Sequence, residues 1–361
     1  MPESTRSSRD TTDPHLWIVI LAGGVGSRFW PVSTPTRPKQ LLPFATGRSL
    51  IADTVERAAA LAPPERIRVL ASERLATALA RELPALGPEC FWSEPEARGT
   101  GPALAWAAAR LLAADPDAVM VSLHADHVIR PTDAFATLIR EAARVAVRED
   151  LLITVGATPD RPDVGFGYIQ PGAPLDLAAG LAGYRVARFH EKPARETAAG
   201  YVAEGYLWNT GLFVWRAATF LEEVRRHAPE LAAVLPLLDQ GDVAGFFREA
   251  PTATVDVAVL ERSERVGVLT ANFEWDDVGS WEALTRTLAA DDHGNVAHGP
   301  AHVVDAFGNV VFAEDAPVVL FGVDDLVVVR TGAVTLVASR ARAPDLKSLL
   351  DRLPPDLRSL D

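Results

Sequence analysis

A single cysteine, Cys90, is all that this chain offers to disulfide or thiolate chemistry. One thiol cannot build an intrachain disulfide framework or a multi-cysteine zinc site, so nothing marks an oxidising compartment and the cytoplasm is the default location. Long apolar runs are missing as well. No stretch approaches the roughly 18 uncharged apolar residues of a membrane-spanning helix, and residues 1–14, MPESTRSSRDTTDP, are polar and read as a loose tail. Excess positive charge is also absent: the net charge is −13. That argues against a nucleic-acid binder tracking a phosphate backbone, yet leaves room for a local basic pocket around a small phosphorylated ligand. What is present is length and apolar content. A chain of 361 residues, 48% hydrophobic, can bury a large core and predicts one main domain with a smaller appendage.

Between residues 17 and 155, short apolar runs alternate with longer Ala/Leu-rich segments. The runs are WIVILA, IRVLAS, ECFWS, AVMVSL and LLITVGA; one of the segments between them, GPALAWAAARLLAA, sets Leu104, Ala108, Leu111 and Leu112 on one helical face. Repeated βα units predict an α/β fold with a Rossmann-like, mostly parallel mixed sheet, and such sheets bind ligands beyond the carboxyl ends of their strands. From about residue 159 the pattern loosens, with strands YRVARFHEKP and LWNTGLFVW and further helices to about residue 248, as if to wall a second pocket. After the polar turn AADDHGN, runs such as AHVVDA, NVVFAE, PVVLFG, LVVVRT and VTLVAS recur at close spacing. The expected organisation is therefore a tail at 1–14, a main domain at 15–290 and a small all-β domain at 291–361 closed by a short helix.

The stretch LAGGVGSRFWPVSTPTRPKQLLPF, residues 21–44, follows the first apolar run directly. Glycines after a strand let backbone N–H groups converge into a concave anion nest. The stretch is not a Walker loop, because no Gly-Lys-Ser/Thr follows, and Arg28-Phe29-Trp30 stand where the dinucleotide fingerprint needs its last glycine. Glycines alone would be an ordinary tight turn. Two cations of different geometry on the same loop, Arg28 and Lys39, suit a triphosphate better than a bare surface.

This stretch resembles the N-terminal motif of the sugar-nucleotide pyrophosphorylases, and RFWP and PKQ within it resemble the mannose-1-phosphate guanylyltransferase branch. Further stretches resemble the same family in the same order: EPEARGTGPAL (94–104), ADHVI (125–129), FHEKP (189–193) with WNTGLFVW (208–215), and FEWDDVGSW (273–281). The β-rich tail resembles the short left-handed β-helix that closes these enzymes. The resemblance runs from about residue 16 to the end. It implies attack of a sugar 1-phosphate oxygen on the α-phosphorus of a nucleoside triphosphate, with diphosphate leaving. GTP and mannose 1-phosphate are the implied substrates, and GDP-mannose the product.

Nucleotidyl transfer relies on positioning and charge neutralisation rather than covalent chemistry. By resemblance, Leu21, Ala22, Gly23, Gly24, Gly26, Arg28, Lys39 and Arg98 hold the nucleotide. Gly167, Glu191, Lys192 and Asn209 hold the sugar phosphate, while Arg28, Lys39 and Lys192 act in the transfer. Asp126 and Asp277 are implied ligands of one Mg²⁺, an ion that commonly takes only one or two carboxylates; Asp276 is the neighbouring second choice. Each has an ordinary structural alternative: a turn at Asp126, a helix cap at Asp277, a surface ion pair at Glu191-Lys192, an Asx turn at Asn209 and a strand bend at Gly167.

HADH (124–127) invites a zinc reading, but three ligands within four consecutive residues at a strand end are not expected to converge on one tetrahedral ion. Both histidines are read as structural. His124 departs from the small residue or proline of the family, and Gly99, Gly101 and Val257 depart at the base loop and at the tyrosine position after Asp256. Two other readings stand beside the first: the same chemistry with another nucleotide or hexose 1-phosphate, and a catalytically silent nucleotide-sugar sensor. No isomerase activity is expected, and exposed edges of the β unit would allow a homodimer.

Overall fold

The computed structural model describes residues 13–24 and 26–358. Residues 1–12 of the expected tail and Val25 of the glycine stretch lie outside them; Asp13 and Pro14 are exposed.

The first apolar run forms β1 (Leu16–Leu21), flanked by β2 (Ile67–Ser72) and β4 (Val119–His124), with β3 (Phe91–Glu94) beyond β2. All three of these pairings are parallel. Three neighbouring residues of β1, Ile18, Val19 and Ile20, are fully buried, as expected of a strand covered on both faces. The connecting helices α1 (Leu50–Ala59), α2 (Glu73–Glu82) and α3 (Thr100–Ala114) return the chain so that every strand of this half points its carboxyl end the same way. The loops after β1, β3 and β4 therefore open at one edge. α3 is more deeply packed than one apolar face requires: Gly101 to Ala108 are all buried, whereas Leu112 is only half-buried.

After α4 (Thr132–Glu149), β6 (Leu152–Ala157) does not join β4 directly. The long strand β9 (Leu207–Arg216) lies between them and runs antiparallel to both. β7 (Tyr168–Pro174), β8 (Gly183–His190) and β10 (Val266–Thr270) complete a nine-stranded mixed sheet in the order β3-β2-β1-β4-β9-β6-β10-β8-β7. α5 (Arg195–Ala203) and α6 (Ala217–His227) bracket β9 in sequence. Periodicity missed a second, two-stranded sheet, in which β5 (Val128–Arg130) pairs antiparallel with β11 (Glu274–Asp276), matching Val128 with Asp276.

All five expected C-terminal runs are strands, joined by one more, β12 (Val296–His298). They are β13 (Ala301–Val304), β14 (Val310–Ala313), β15 (Val318–Phe321), β16 (Leu326–Arg330) and β17 (Thr335–Ser339). β12-β14-β16 stack in parallel, as do β13-β15, in a β-helix-like coil. Its inner face is continuous with the aromatic packing under the glycine stretch, where Phe29 and Phe44 meet Trp281 and Phe312. Among the described residues, no helix is long and apolar enough to cross a membrane.

Candidate active site

A cavity of about 340 Å³ opens where β1, β3 and β4 end, lined by Leu21, Ala22, Gly23 and Gly24 on one side and by Glu94, Thr100 and Asp126 on others. Four of the residues expected to hold a nucleotide thus share one wall. Gln40, buried in the same loop, donates its amide to the Ala22 carbonyl at 2.7 Å and fixes the turn. Gly26 is required for another reason: its φ is 74°, and a Cβ there would stand 2.4 Å from Lys39 Cβ. Arg28 is exposed and is not among the residues lining the cavity; it makes one long contact of 3.5 Å to the Gly279 carbonyl. Arg98 turns elsewhere, donating to Glu96 and to the Arg248 carbonyl, and does not line the cavity.

The departures beside Arg98 have a steric cause. Ala253 N donates to Arg98 O, and Gly101 N donates to Ala253 O. A Cβ on Gly99, where φ is 85°, would lie 2.5 Å from that Ala253 oxygen, and one on Gly101 would lie 3.1 Å away. These glycines let residues 251–255 dock on the start of α3, where Thr100 Oγ1 also accepts from Val255 N. Val257 faces a separate cavity with Pro251 and Arg262, away from the expected sugar residues.

Lys39 points inward, 6% exposed. Its ammonium lies 2.8 Å from Asp126 Oδ2 and donates to the carbonyls of Asp277 and Val278 at 2.9 and 3.0 Å. Three donors meet three acceptors, so the lysine ties both expected metal ligands together. Burial alone would raise Asp126, but the charge of Lys39 overrides it and brings the carboxyl down to about 2. Asp277 goes the other way: burial outweighs Lys39 and raises it to about 6. Its carboxylate accepts no hydrogen bond among the described residues. Asp276, in contrast, is used up locally, accepting from Val278 N at 2.7 Å and pairing with Arg286. Val278 holds a φ of 44° while fully buried, a left-handed conformation that costs a β-branched residue about 1–3 kcal/mol. A half-buried carboxylate without a hydrogen-bond partner among the described residues, beside a second carboxylate, is a donor set suited to a hard divalent cation.

A second cavity, about 250 Å³, adjoins the first and is lined by Gly167, Glu191, Lys192 and Asn209 together with Asp256 and Asp277. All four expected sugar residues meet there. Lys192, at a φ of 48°, sets its ammonium 2.6 Å from Glu191 Oε1. Gly167 leaves the space that this carboxylate occupies, since a Cβ would be 2.7 Å from Glu191 Oε2. Asn209 is pinned through both ends of its amide: Oδ1 accepts from Thr154 Oγ1 and Nδ2 donates to Asp256 Oδ1, each at 2.8 Å. One Asn209 N–H remains for a ligand.

Two carboxyls here were not among the expected site residues. Burial raises Glu94 to about 7 and, with the Glu191 charge adding to it, Asp256 to about 6. Asp256 opens a short π-helical turn, a distortion common at functional sites. The sequence had no periodicity that announced this turn.

The expectation that HADH cannot converge needs correction, because one ligand atom each from His124, Asp126 and His127 lies within 4.8 Å of the others. The chain bends sharply between β4 and β5, and so gathers side chains that an extended strand would alternate. His127 is nevertheless committed: the Trp275 indole N–H donates to its Nδ1 at 3.1 Å. Burial and the nearby His124 push its pKa well below the usual imidazole range, so the ring is neutral and its one proton sits on Nε2, leaving no lone pair for a metal. Burial lowers His124 too. It lines both cavities, as does Thr100.

Residues 18–293 match the family model described as nucleotidyl transferase, and residues 301–353 match the MannoseP isomerase/GMP-like beta-helix domain. A mannose-1-phosphate guanylyltransferase of Klebsiella pneumoniae is 36% identical over 353 residues, covering 94% of this chain and 74% of that protein. One from Escherichia coli K12 is 36% identical over 361 residues, covering 95% and 74%. Among solved structures, a Thermus thermophilus protein described as mannose-1-phosphate geranyltransferase superposes with a TM-score of 0.86. It is 34% identical, with 94% of this chain and 99% of that one covered.

Proposed function

The chain belongs to the nucleotidyl transferase family, and we propose that it joins GTP to mannose 1-phosphate, forming GDP-mannose and diphosphate with Mg²⁺ as the divalent ion. The observation that carries this reading is the junction of the two cavities: they share Thr100 and His124, the first is lined by Asp126 and the second by Asp277, and Lys39 links the two residues through the Asp126 carboxylate and the Asp277 backbone carbonyl. A nucleotide in the first cavity and a sugar phosphate in the second would bring an attacking phosphate oxygen to the α-phosphorus at that junction. Proximity of this kind converts a bimolecular encounter into an oriented one.

Glu94 supports the choice of base. Guanine presents two adjacent donors, N1–H and the 2-amino group, which an ionised carboxylate accepts together; adenine has no such pair. Glu191 and the remaining Asn209 N–H offer an acceptor and a donor to the hexose hydroxyls. Lys192, 58% exposed beside Glu191, can swing to the sugar phosphate and reduce its repulsion with the α-phosphate. Exposed Arg28 takes the leaving diphosphate, for which a planar guanidinium is suited. Lys39, with its hydrogens committed, is a positioning residue for Asp126 and Asp277. A divalent cation held by those two carboxylates would neutralise charge on the phosphoryl oxygens.

The test is a matrix of nucleoside triphosphates against hexose 1-phosphates with Mg²⁺, reading diphosphate release. Turnover greatest with GTP and mannose 1-phosphate supports the proposal. A maximum elsewhere assigns another substrate pair, and silence in every combination leaves a binding protein.

A further inference from the structure

The imidazole of His124 stands apart from the chemistry described so far. It lies at the end of β4, half-buried, in the wall common to both cavities. Its ring packs 4.7 Å from that of His127, and the missing side chain of Gly211 makes room for it, since a Cβ there would sit 2.7 Å from His124 Nε2. The backbone of Gly211 holds a φ of 73° at that point. The ring is therefore confined on two sides. Neither of its nitrogens has a hydrogen-bond partner among the described residues. One of them is within 4.8 Å of an Asp126 carboxylate oxygen. Lys39 occupies Asp126 Oδ2, which leaves Oδ1 open among the described residues.

We propose that His124 and Asp126 together form a mixed nitrogen–oxygen site for a first-row transition-metal dication such as Mn²⁺ or Co²⁺. The inference rests on the reading of Asp126 as a metal ligand and adds a nitrogen donor to it. Magnesium strongly prefers an all-oxygen shell, whereas first-row transition dications, Mn²⁺ included, accept an imidazole nitrogen beside carboxylate oxygens. His127 contributes no bond, because its Nδ1 accepts from Trp275 and its other nitrogen carries the proton. Substituting His124 should therefore change which metals bind, while substituting His127 changes packing. Mn²⁺ is the probe used because its unpaired electrons report a directly bound nitrogen.

The test is pulsed electron paramagnetic resonance on the whole protein loaded with Mn²⁺, with and without GTP. The expected result is nitrogen modulation of imidazole type, altered in frequency when the histidines are labelled with ¹⁵N and lost in His124→Ala. If His124→Ala fails to fold, His124→Asn takes its place, and the isotope label separates a remaining ring nitrogen from an amide nitrogen. Bound Mn²⁺ without nitrogen modulation would overturn the inference and leave Asp126 as an oxygen-only ligand. Modulation that persists in folded His124→Ala would also overturn it. Absence of any Mn²⁺ binding, with or without GTP, would overturn both the inference and the reading of Asp126 on which it rests.

Discussion

The ammonium of Lys39 lies 2.8 Å from Asp126 Oδ2 and, 238 residues along the chain, donates to the Asp277 carbonyl. A lysine that looked like a phosphate ligand thereby holds two carboxylate-bearing loops at a fixed separation. Removing one partner of a buried pair leaves the other charge uncompensated, so Lys39→Met is expected to cost about 3 kcal/mol of stability. The same substitution in an Asp126→Asn background should cost much less. Denaturant unfolding of both single variants and the double variant measures the coupling, and strictly additive losses would mean that the pair does not act as one.

Arg28 is expected to behave in the opposite way. Its guanidinium is exposed, with only a long contact to Gly279, so Arg28→Lys should leave unfolding unchanged and lower kcat by about 100-fold through loss of paired contacts to the leaving diphosphate. An unchanged rate would return Arg28 to the surface.

Glu94 sets a pH dependence. Its folded pKa, raised by burial from 4.5 to about 7, means that the folded state keeps a proton the unfolded chain has released. This group therefore favours folding below that range, and the contribution fades as pH rises through about 7. Nucleotide binding follows the reverse trend, because only the ionised carboxylate accepts both guanine donors. The KM for GTP is expected to fall between about pH 6 and about pH 8 and to be flat and high in Glu94→Gln; a parallel slope in both proteins would dissociate Glu94 from the base.

At the sugar end, Lys192→Met should raise the KM for mannose 1-phosphate far more than that for GTP. Glu191→Gln should instead weaken discrimination between mannose 1-phosphate and glucose 1-phosphate, since a matched acceptor can reject a mismatched hydroxyl by roughly 10⁴. Values of kcat/KM for both sugars decide between this and a surface ion pair, for which the losses would be small and equal.

The strands of the first half, their parallel sense and the loops beyond them were legible from apolar runs followed by glycine, and the four residues that meet in the second cavity were legible through motifs that resemble the family. Lys39, Arg98 and Asp276 were not legible in that way. Where their side chains point depends on partners far along the chain, the Asp277 carbonyl, the Arg248 carbonyl and Arg286. The β5–β11 pair that brings Asp126 near Asp277 has only three residues a side, too short for alternation to show. Glu94 and Asp256 became notable through burial alone, which no spacing encodes. The convergence of HADH was missed because a bend, not a strand, follows His124.

The central claim, that transfer occurs where Asp277 faces the cavity junction, is tested most directly by comparing neighbours. Diphosphate release from GTP and mannose 1-phosphate is measured in Asp277→Asn and Asp276→Asn across a Mg²⁺ titration, alongside thermal unfolding. The account predicts that Asp277→Asn abolishes release with the fold intact, while Asp276→Asn lowers stability by loosening Val278 and Arg286 yet retains turnover. Near-normal release by Asp277→Asn at limiting Mg²⁺ would contradict it.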